Sequence, residues 1–241
     1  MRTPARTTPA IWHLFLAAGL ALSAAAHAQP PRDRPVGITP ELMSITVEHD
    51  GREVIIQRNQ DTKATVPRAF ALTSRPCPPF CVQPMSLAPG VETIAELEIL
   101  DFLKRQATGD GSVLVIDSRT PDWVRRGTIP GAVNIPWTRL AARHGATTEE
   151  IIRILTDEFG ATLADGVDAF DVDEAVVQGT MNEVIDYGDA RTLVLFCNGM
   201  WCGQSPANIH TLLGYGYPPE KLKWYRGGMQ AWAILGLTMA R

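Results

Sequence analysis

Histidine is scarce in this chain and scattered where it occurs. Five stand among 241 residues, and two of them, His13 and His27, fall in a leader-like N-terminus. His49, His144 and His210 share no spacing that a metal site would use. A Cys–His pairing would need the fold to bring one of them to a cysteine. Glycine-rich phosphate loops and dinucleotide fingerprints are missing, so nucleotide chemistry has no motif to rest on. Basic charge is not in excess: 22 Lys and Arg against 26 Asp and Glu leave a net charge of −4. Such a chain shows no electrostatic footprint for nucleic acid or an anionic membrane surface. Beyond residue 28 no apolar run is long enough to cross a membrane. Cysteine is limited to Cys77, Cys81, Cys197 and Cys202, and their CX3C and CX4C spacings are not those of zinc knuckles. No metal and no cofactor is therefore expected.

The first 28 residues read as a secretory signal. Arg2 and Arg6 give a basic start, Ile11 to Ala26 is apolar, and Ala26-His27-Ala28 is a small-x-small cleavage pattern. The mature chain is expected to begin at Gln29, to be exported to the periplasm, and to carry a formal charge of −6. That compartment permits disulfides. Residues 29–90 form an N-terminal extension. After a polar, Pro-rich lead-in, Met43 to Arg58 reads as a β-hairpin turning at Asp50-Gly51. A Pro-rich connection follows, holding SRPCPPFCVQP. Its simplest reading is a local Cys77–Cys81 disulfide; a metal site shared with Cys197 and Cys202, and a redox exchange with that later pair, are the others.

The most informative stretch is RTLVLFCNGMWCGQSPANIHTLLG, Arg191 to Gly214. Thr192 to Phe196 is an apolar β-favouring run, and Cys197 ends it. A loop with two glycines and Cys202 leads to a helix start, where Ser205 can cap, Pro206 suits the first helical position, and Gly214 can close. Ile209, Leu212 and Leu213 supply an apolar face. Amides at such a loop and helix start gather positive potential. A thiol there has its pKa lowered, and the thiolate is its reactive form. The plain alternative is a small buried thiol at a strand end.

Alternation of strand and helix runs through residues 91–241. Thr93-x-x-Glu96 reads as a capping box for a helix facing inward through Leu97, Leu100 and Leu103. Ser112 to Ile116 is a buried strand, Pro121 to Arg126 a short helix, TIPGAVNIP a turn and strand, Lys223 to Tyr225 a last strand, and Met229 to Leu235 a last helix. The pattern predicts an α/β fold, a parallel sheet covered on both faces, with Cys197 at a strand's C-terminal end, where such sheets gather ligands. Residues 145–189 interrupt it with twelve acidic residues and one basic one, Arg153. Thr147-x-x-Glu150 caps a helix through Ile151, Ile152, Leu155 and Phe159. Asp165, Asp168, Asp171, Asp173 and Glu174 follow in what reads as a loop without calcium-loop spacing.

VLVIDSRTPDWVRRGTIPGAVNIPW, then LVLFC with its loop and helix, then WYRGGMQAW, together resemble a rhodanese domain from about Val91 to Leu237. The resemblance implies a five-stranded parallel sheet flanked by helices, and a sulfurtransferase cysteine that carries a persulfide; the matching position is Cys197. Asp117 and Arg119 match motif residues read as a structural ion pair. The loop residues Asn198, Gly199, Met200, Trp201, Gly203, Gln204 and Ser205 would cradle the substrate. The loop reads as longer than the family's usual one and holds no Lys or Arg, so a free anion such as thiosulfate would find amides but no fixed cation. Trp201 can line an apolar pocket or pack onto the loop; Cys202 can resolve a persulfide on Cys197 or stand by.

Three readings follow: a periplasmic sulfurtransferase moving sulfur from a small donor to a thiol acceptor, a thiol–disulfide redox protein using Cys197 and Cys202, and a non-catalytic rhodanese-like module docking a protein partner through its hairpin and acidic insertion.

Overall fold

The computed structural model describes residues 35–241, so the expected signal peptide at residues 1–28 lies outside the described residues. β1 (Ser44–His49) and β2 (Arg52–Gln57) pair antiparallel from Ser44↔Gln57 to His49↔Arg52. Asp50 and Gly51 both take positive φ, 50° and 71°, which a two-residue turn with the strands' own twist requires. One face of the hairpin is buried: Ile45, Val47 and Ile56 join the side chains of the first long helix, α1 (Glu96–Ala107). A lone hairpin would be marginal; this one is a layer of the core.

The central sheet contains β3 (Glu92–Ile94), β4 (Val113–Asp117), β5 (Val133–Asn134), β8 (Thr192–Phe196) and β9 (Leu222–Tyr225). Their order is β3-β9-β8-β4-β5, all parallel. Side chains alternate across it. Leu193 and Leu195 of β8 and Leu114 and Ile116 of β4 enter one core with α6 (Gln204–Gly214) and the insertion; Val194, Phe196 and Val115 enter the other with α1, α7 (Gly228–Ile234) and the hairpin. Both faces are covered, which is why these strands are continuously apolar.

Between β4 and β5 lies the short helix α2 (Pro121–Val124). The insertion holds α3 (Thr148–Arg153), a π-helical turn over Ile154–Glu158, α4 (Ala169–Gln178) and α5 (Met181–Val184), with β6 (Thr162–Leu163) pairing antiparallel to β7 (Ile185–Asp186).

Three local expectations are corrected. Thr93 does not cap α1: it lies in β3, paired with Trp224, and the helix starts after Ala95, whose N–H donates to Glu98. The face of α1 consequently shifts to Ile99, Leu100 and Leu103, and Leu97 is 54% exposed. The acidic stretch is not all loop. Asp168 caps α4, accepting from the Phe170 and Asp171 amides, and Asp171, Asp173 and Glu174 ride on that helix. Carboxylates at a helix start complement its orphan N–H groups, and Val172 and Ala175 supply the buried side.

Candidate functional site

Cys197 leaves the C-terminal end of β8 and is 2% exposed. Its carbonyl accepts from the Met229 amide at 3.0 Å, and the Asn198 carbonyl accepts from the Gln230 amide at 3.0 Å. The loop therefore sits directly on the start of α7. That closeness explains Gly228. Its φ is +53°, and a Cβ there would stand 2.3 Å from the Cys197 carbonyl oxygen and 2.9 Å from the Gly199 nitrogen. A tight turn closes the loop, the Cys202 amide donating to the Gly199 carbonyl at 2.9 Å.

The Cys197 sulfur accepts from the Ser205 hydroxyl at 3.2 Å and faces the Cys202 carbonyl at 3.3 Å. The Ser205 oxygen in turn accepts from the buried indole Nε1 of Trp224 at 3.1 Å. Burial pushes the Cys197 thiol up, but hydrogen bonds outweigh it: the Cys202 side chain, the Ser205 hydroxyl and amide, and the Gly199 amide together hold the thiol at about 7. Cys202 goes the other way; burial and the neighbouring Cys197 push it well above the ordinary thiol range. Both thiols are free. One cysteine is thus prepared as a thiolate and the other as a proton-bearing thiol beside it.

Ser205 was expected to cap its helix. It does not: α6 starts at Gln204 after Gly203, and the Ser205 hydroxyl is spent on the sulfur. Asp117 and Arg119 form a buried ion pair, with Arg119 Nη2 2.5 Å from Asp117 Oδ2. Arg119 also donates to the carbonyls of Gly127 and Trp123, and at 3.4 Å to the Asn198 side chain in the loop. The pair therefore ties the ends of β4 and β8 together.

Cys77 and Cys81 are joined in a disulfide. Sequence reasoning did not place this small loop, and it lies against the candidate site. The Gln83 amide donates to the Met200 carbonyl at 2.8 Å, and Arg226 donates to the carbonyls of Gln83 and Pro84. Phe80 meets the Trp201 ring edge-on at 5.6 Å, and the Arg75 guanidinium lies 4.1 Å from the Trp201 centroid. Trp201 Nε1 donates to Gln230 at 2.8 Å. Trp201 thus packs against Arg75, Phe80 and Gln230 from outside its own loop, an arrangement neither sequence reading named.

The expectation of a cation-free site needs correction. The loop itself carries none, but the fold delivers Arg119 to Asn198, Arg75 to Trp201, and Arg143 to the rim of a cavity of about 410 Å³. Phe80, Trp123, Trp137, Cys202 and Gln204 help line that cavity. No carboxylate lines it, so the acidic insertion does not guard it. Arg75, Phe80, Trp123, Trp137, Arg143 and Trp224 were missed in the sequence because each arrives from a distant segment. Among the described residues no histidine hydrogen-bonds to Cys197, and no group of three or more His, Cys, Asp or Glu could hold a metal.

Residues 100–235 match the family model described as Rhodanese-like domain. Two solved structures are similar to the chain. A Rhodopseudomonas palustris protein of unknown function, described as a possible tyrosine phosphatase, is 20% identical over 62% of this chain and 85% of its own, with a TM-score of 0.36. A human single domain sulfurtransferase is 21% identical over 59% of this chain and 95% of its own, with a TM-score of 0.29. No curated protein matches the chain.

Proposed function

The chain belongs to the rhodanese-like family, and from that premise we propose that it is an exported sulfurtransferase that carries a persulfide on Cys197 and passes the sulfur to a thiol or another nucleophile. The observation that carries this reading is the hydrogen-bonded Cys197 sulfur, with its pKa brought to about 7 despite burial. A thiolate at neutral pH attacks the outer sulfur of a sulfane donor; the S–S bond breaks, and its electron pair leaves on the donor. With thiosulfate the leaving group is sulfite. The persulfide then sits among the N–H groups of Gly199 and Ser205, which favour an anion. Arg119 and Asp117 keep the loop in position.

A second reading rests on a separate observation, the two free cysteines buried together. Cys202 can attack the Cys197 sulfur of a persulfide or sulfenate, forming a disulfide as the S–S or S–O bond breaks and hydrosulfide or water leaves, which makes a thiol–disulfide role the alternative. For localisation, the basic and apolar N-terminus supports export, cleavage after Ala28 and residence in the periplasm, and a disulfide at Cys77–Cys81 suits an oxidising compartment. The partners proposed are a small sulfur donor and a thiol acceptor.

The intact mass of the reduced protein, taken before and after incubation with thiosulfate, tests the reading. One added sulfur, mapped to Cys197 and removed by cyanide, is expected, and Cys197→Ser should take up none. Equal uptake by Cys197→Ser overturns it. A loss of two hydrogens on mild oxidation, with no sulfur uptake, favours the redox role.

A further inference from the structure

We propose that residues 73–86 are a redox-released strap: with the Cys77–Cys81 disulfide closed they cover the Cys197 loop, and reduction of that disulfide frees them and opens Cys197 to solution. The inference goes beyond the sulfur-transfer reading, since it concerns access to the thiol and holds whatever the thiol then does. Cys197 is 2% exposed. The cavity beside Cys202 and the small space beside Trp201 are both lined by other loop residues and not by Cys197. A thiol so enclosed reacts only after something moves. The strap is what lies on its loop. The Gln83 amide donates to the Met200 carbonyl, and Arg226 donates to the carbonyls of Gln83 and Pro84. Phe80 meets Trp201 edge-on, and the Arg75 guanidinium lies 4.1 Å from the Trp201 centroid and 5.6 Å from that of Trp123.

Little else fixes this stretch. Residues 71–91 contain no helix or strand, and Leu72, Val82 and Met85 are exposed, so apolar burial contributes little. The Arg75 Nε is buried without a hydrogen-bond partner among the described residues, and lifting the strap returns it to water. The disulfide is the remaining restraint. It joins residues four apart in sequence, with the Phe80 amide donating to the Pro76 carbonyl and the Gln83 side chain to the Cys81 carbonyl. One small closed loop therefore presents Phe80 and Gln83 together, and opening it restores chain freedom to the residues that make both contacts. Cys77 is exposed, within reach of a dithiol reductant. The reductant's thiolate bonds to the Cys77 sulfur, the Cys77–Cys81 bond breaks, and Cys81 leaves as a thiolate. The reductant's second thiolate then attacks its own sulfur in the mixed disulfide, and Cys77 leaves. The protein gains two electrons and two protons, and the dithiol, losing the same, becomes a disulfide.

Access is read by the rate at which iodoacetamide alkylates Cys197 at pH 8, mapped by peptide mass so that the other cysteines are counted apart. At that pH the Cys197 thiol, near 7, is mostly thiolate, so a slow rate reports cover rather than protonation. Wild type with the disulfide closed is compared with wild type reduced by dithiothreitol and desalted without air, and with Cys77→Ser/Cys81→Ser. Both open forms should be alkylated at Cys197 at least tenfold faster than the closed form. Arg75→Ala, which leaves the disulfide in place, should give a smaller gain, about threefold. Hydrogen exchange is followed in the same samples: the Gln83 amide should exchange faster in the open forms while the amides of β4 and β8 stay slow. Equal Cys197 rates in closed and reduced wild type overturn the proposal. So does a rise matched by equal loosening of β4 and β8, which is general unfolding rather than a strap. Thiosulfate uptake measured alongside separates the two readings. Faster alkylation on reduction with no sulfur uptake in either form keeps the strap and fells the sulfurtransferase reading; equal alkylation with sulfur uptake in both forms does the reverse.

Discussion

The Ser205 hydroxyl stands between Trp224 and Cys197, accepting from the indole at 3.1 Å and donating to the sulfur at 3.2 Å. With its acceptor side occupied by the indole, the hydroxyl is oriented to donate, and a donor stabilises the thiolate over the thiol. Two strands therefore cooperate on one sulfur: β8 delivers it, and the adjacent β9 supplies the group that fixes its donor.

The first prediction concerns pH. With the Cys197 thiol near 7, about a tenth should be thiolate at pH 6 and about nine tenths at pH 8. Thiolate absorbance should rise by about eight tenths of an equivalent across that window, while Cys202, pushed up, contributes nothing there. Ser205→Ala removes a hydrogen bond to a charged group, worth about 1.5–3 kcal/mol. The midpoint should move up by about one to two units. Trp224→Phe should move it less, since the hydroxyl stays but loses its orientation. A midpoint unmoved in Ser205→Ala would show that the amides alone hold the thiolate.

The second concerns Gly228. Alanine there would need φ near +53°, which costs about 1–2 kcal/mol by itself. Its Cβ would also meet the Cys197 carbonyl and the Gly199 nitrogen, both backbone atoms that cannot swing aside. The loop must shift away from α7. Gly228→Ala should therefore lose most of its sulfur uptake and raise the Cys197 midpoint, while circular dichroism of the sheet and helices stays near wild type. Gly145, also at positive φ but with open space around it, is the control: Gly145→Ala bears only the backbone cost.

How much of this was legible in the sequence follows from how local each feature is. The apolar runs of β4, β8 and β9 and the Asp50-Gly51 turn are written in consecutive residues, so the parallel sheet and the hairpin could be read directly. Cys197 could be read because a strand, a loop and a helix start are contiguous around it. Thr93 misled because a capping-box pattern and an edge strand compete for the same residues, and pairing with Trp224 decides between them. Ser205 misled for the same reason: its hydroxyl can serve an amide locally or a sulfur eight residues back, and only the fold chooses. Arg75, Phe80, Trp137, Arg143 and Trp224 carry no local signal at all. Each matters through contacts made across the chain, and a single sequence does not record such contacts.

The third prediction takes the buried pair of Asp117 and Arg119. Both side chains are essentially inaccessible, and Arg119 divides its donors among Asp117, two backbone carbonyls and the Asn198 side chain. Thr128 adds a hydroxyl donor to Asp117 at 2.7 Å. Removing one charge leaves the other buried and unpaired, which costs about 3–5 kcal/mol. Arg119→Met should thus lower the urea midpoint sharply. Asp117→Asn likewise leaves the Arg119 charge buried and unpaired, and its NH2 replaces one of the two oxygens that accept from Arg119 and Thr128, so its cost should be comparable. Both should be read by equilibrium unfolding with the Cys77–Cys81 disulfide intact, because reducing it would release the segment that Gln83 pins to Met200 and mix two effects. If Arg119→Met unfolds like wild type but no longer loads sulfur, the pair's weight lies in holding Asn198 and its loop rather than in the fold. If Arg119→Met unfolds early while the fraction still folded takes up sulfur normally, the pair holds the ends of β4 and β8 and the loop keeps its shape through α7 alone.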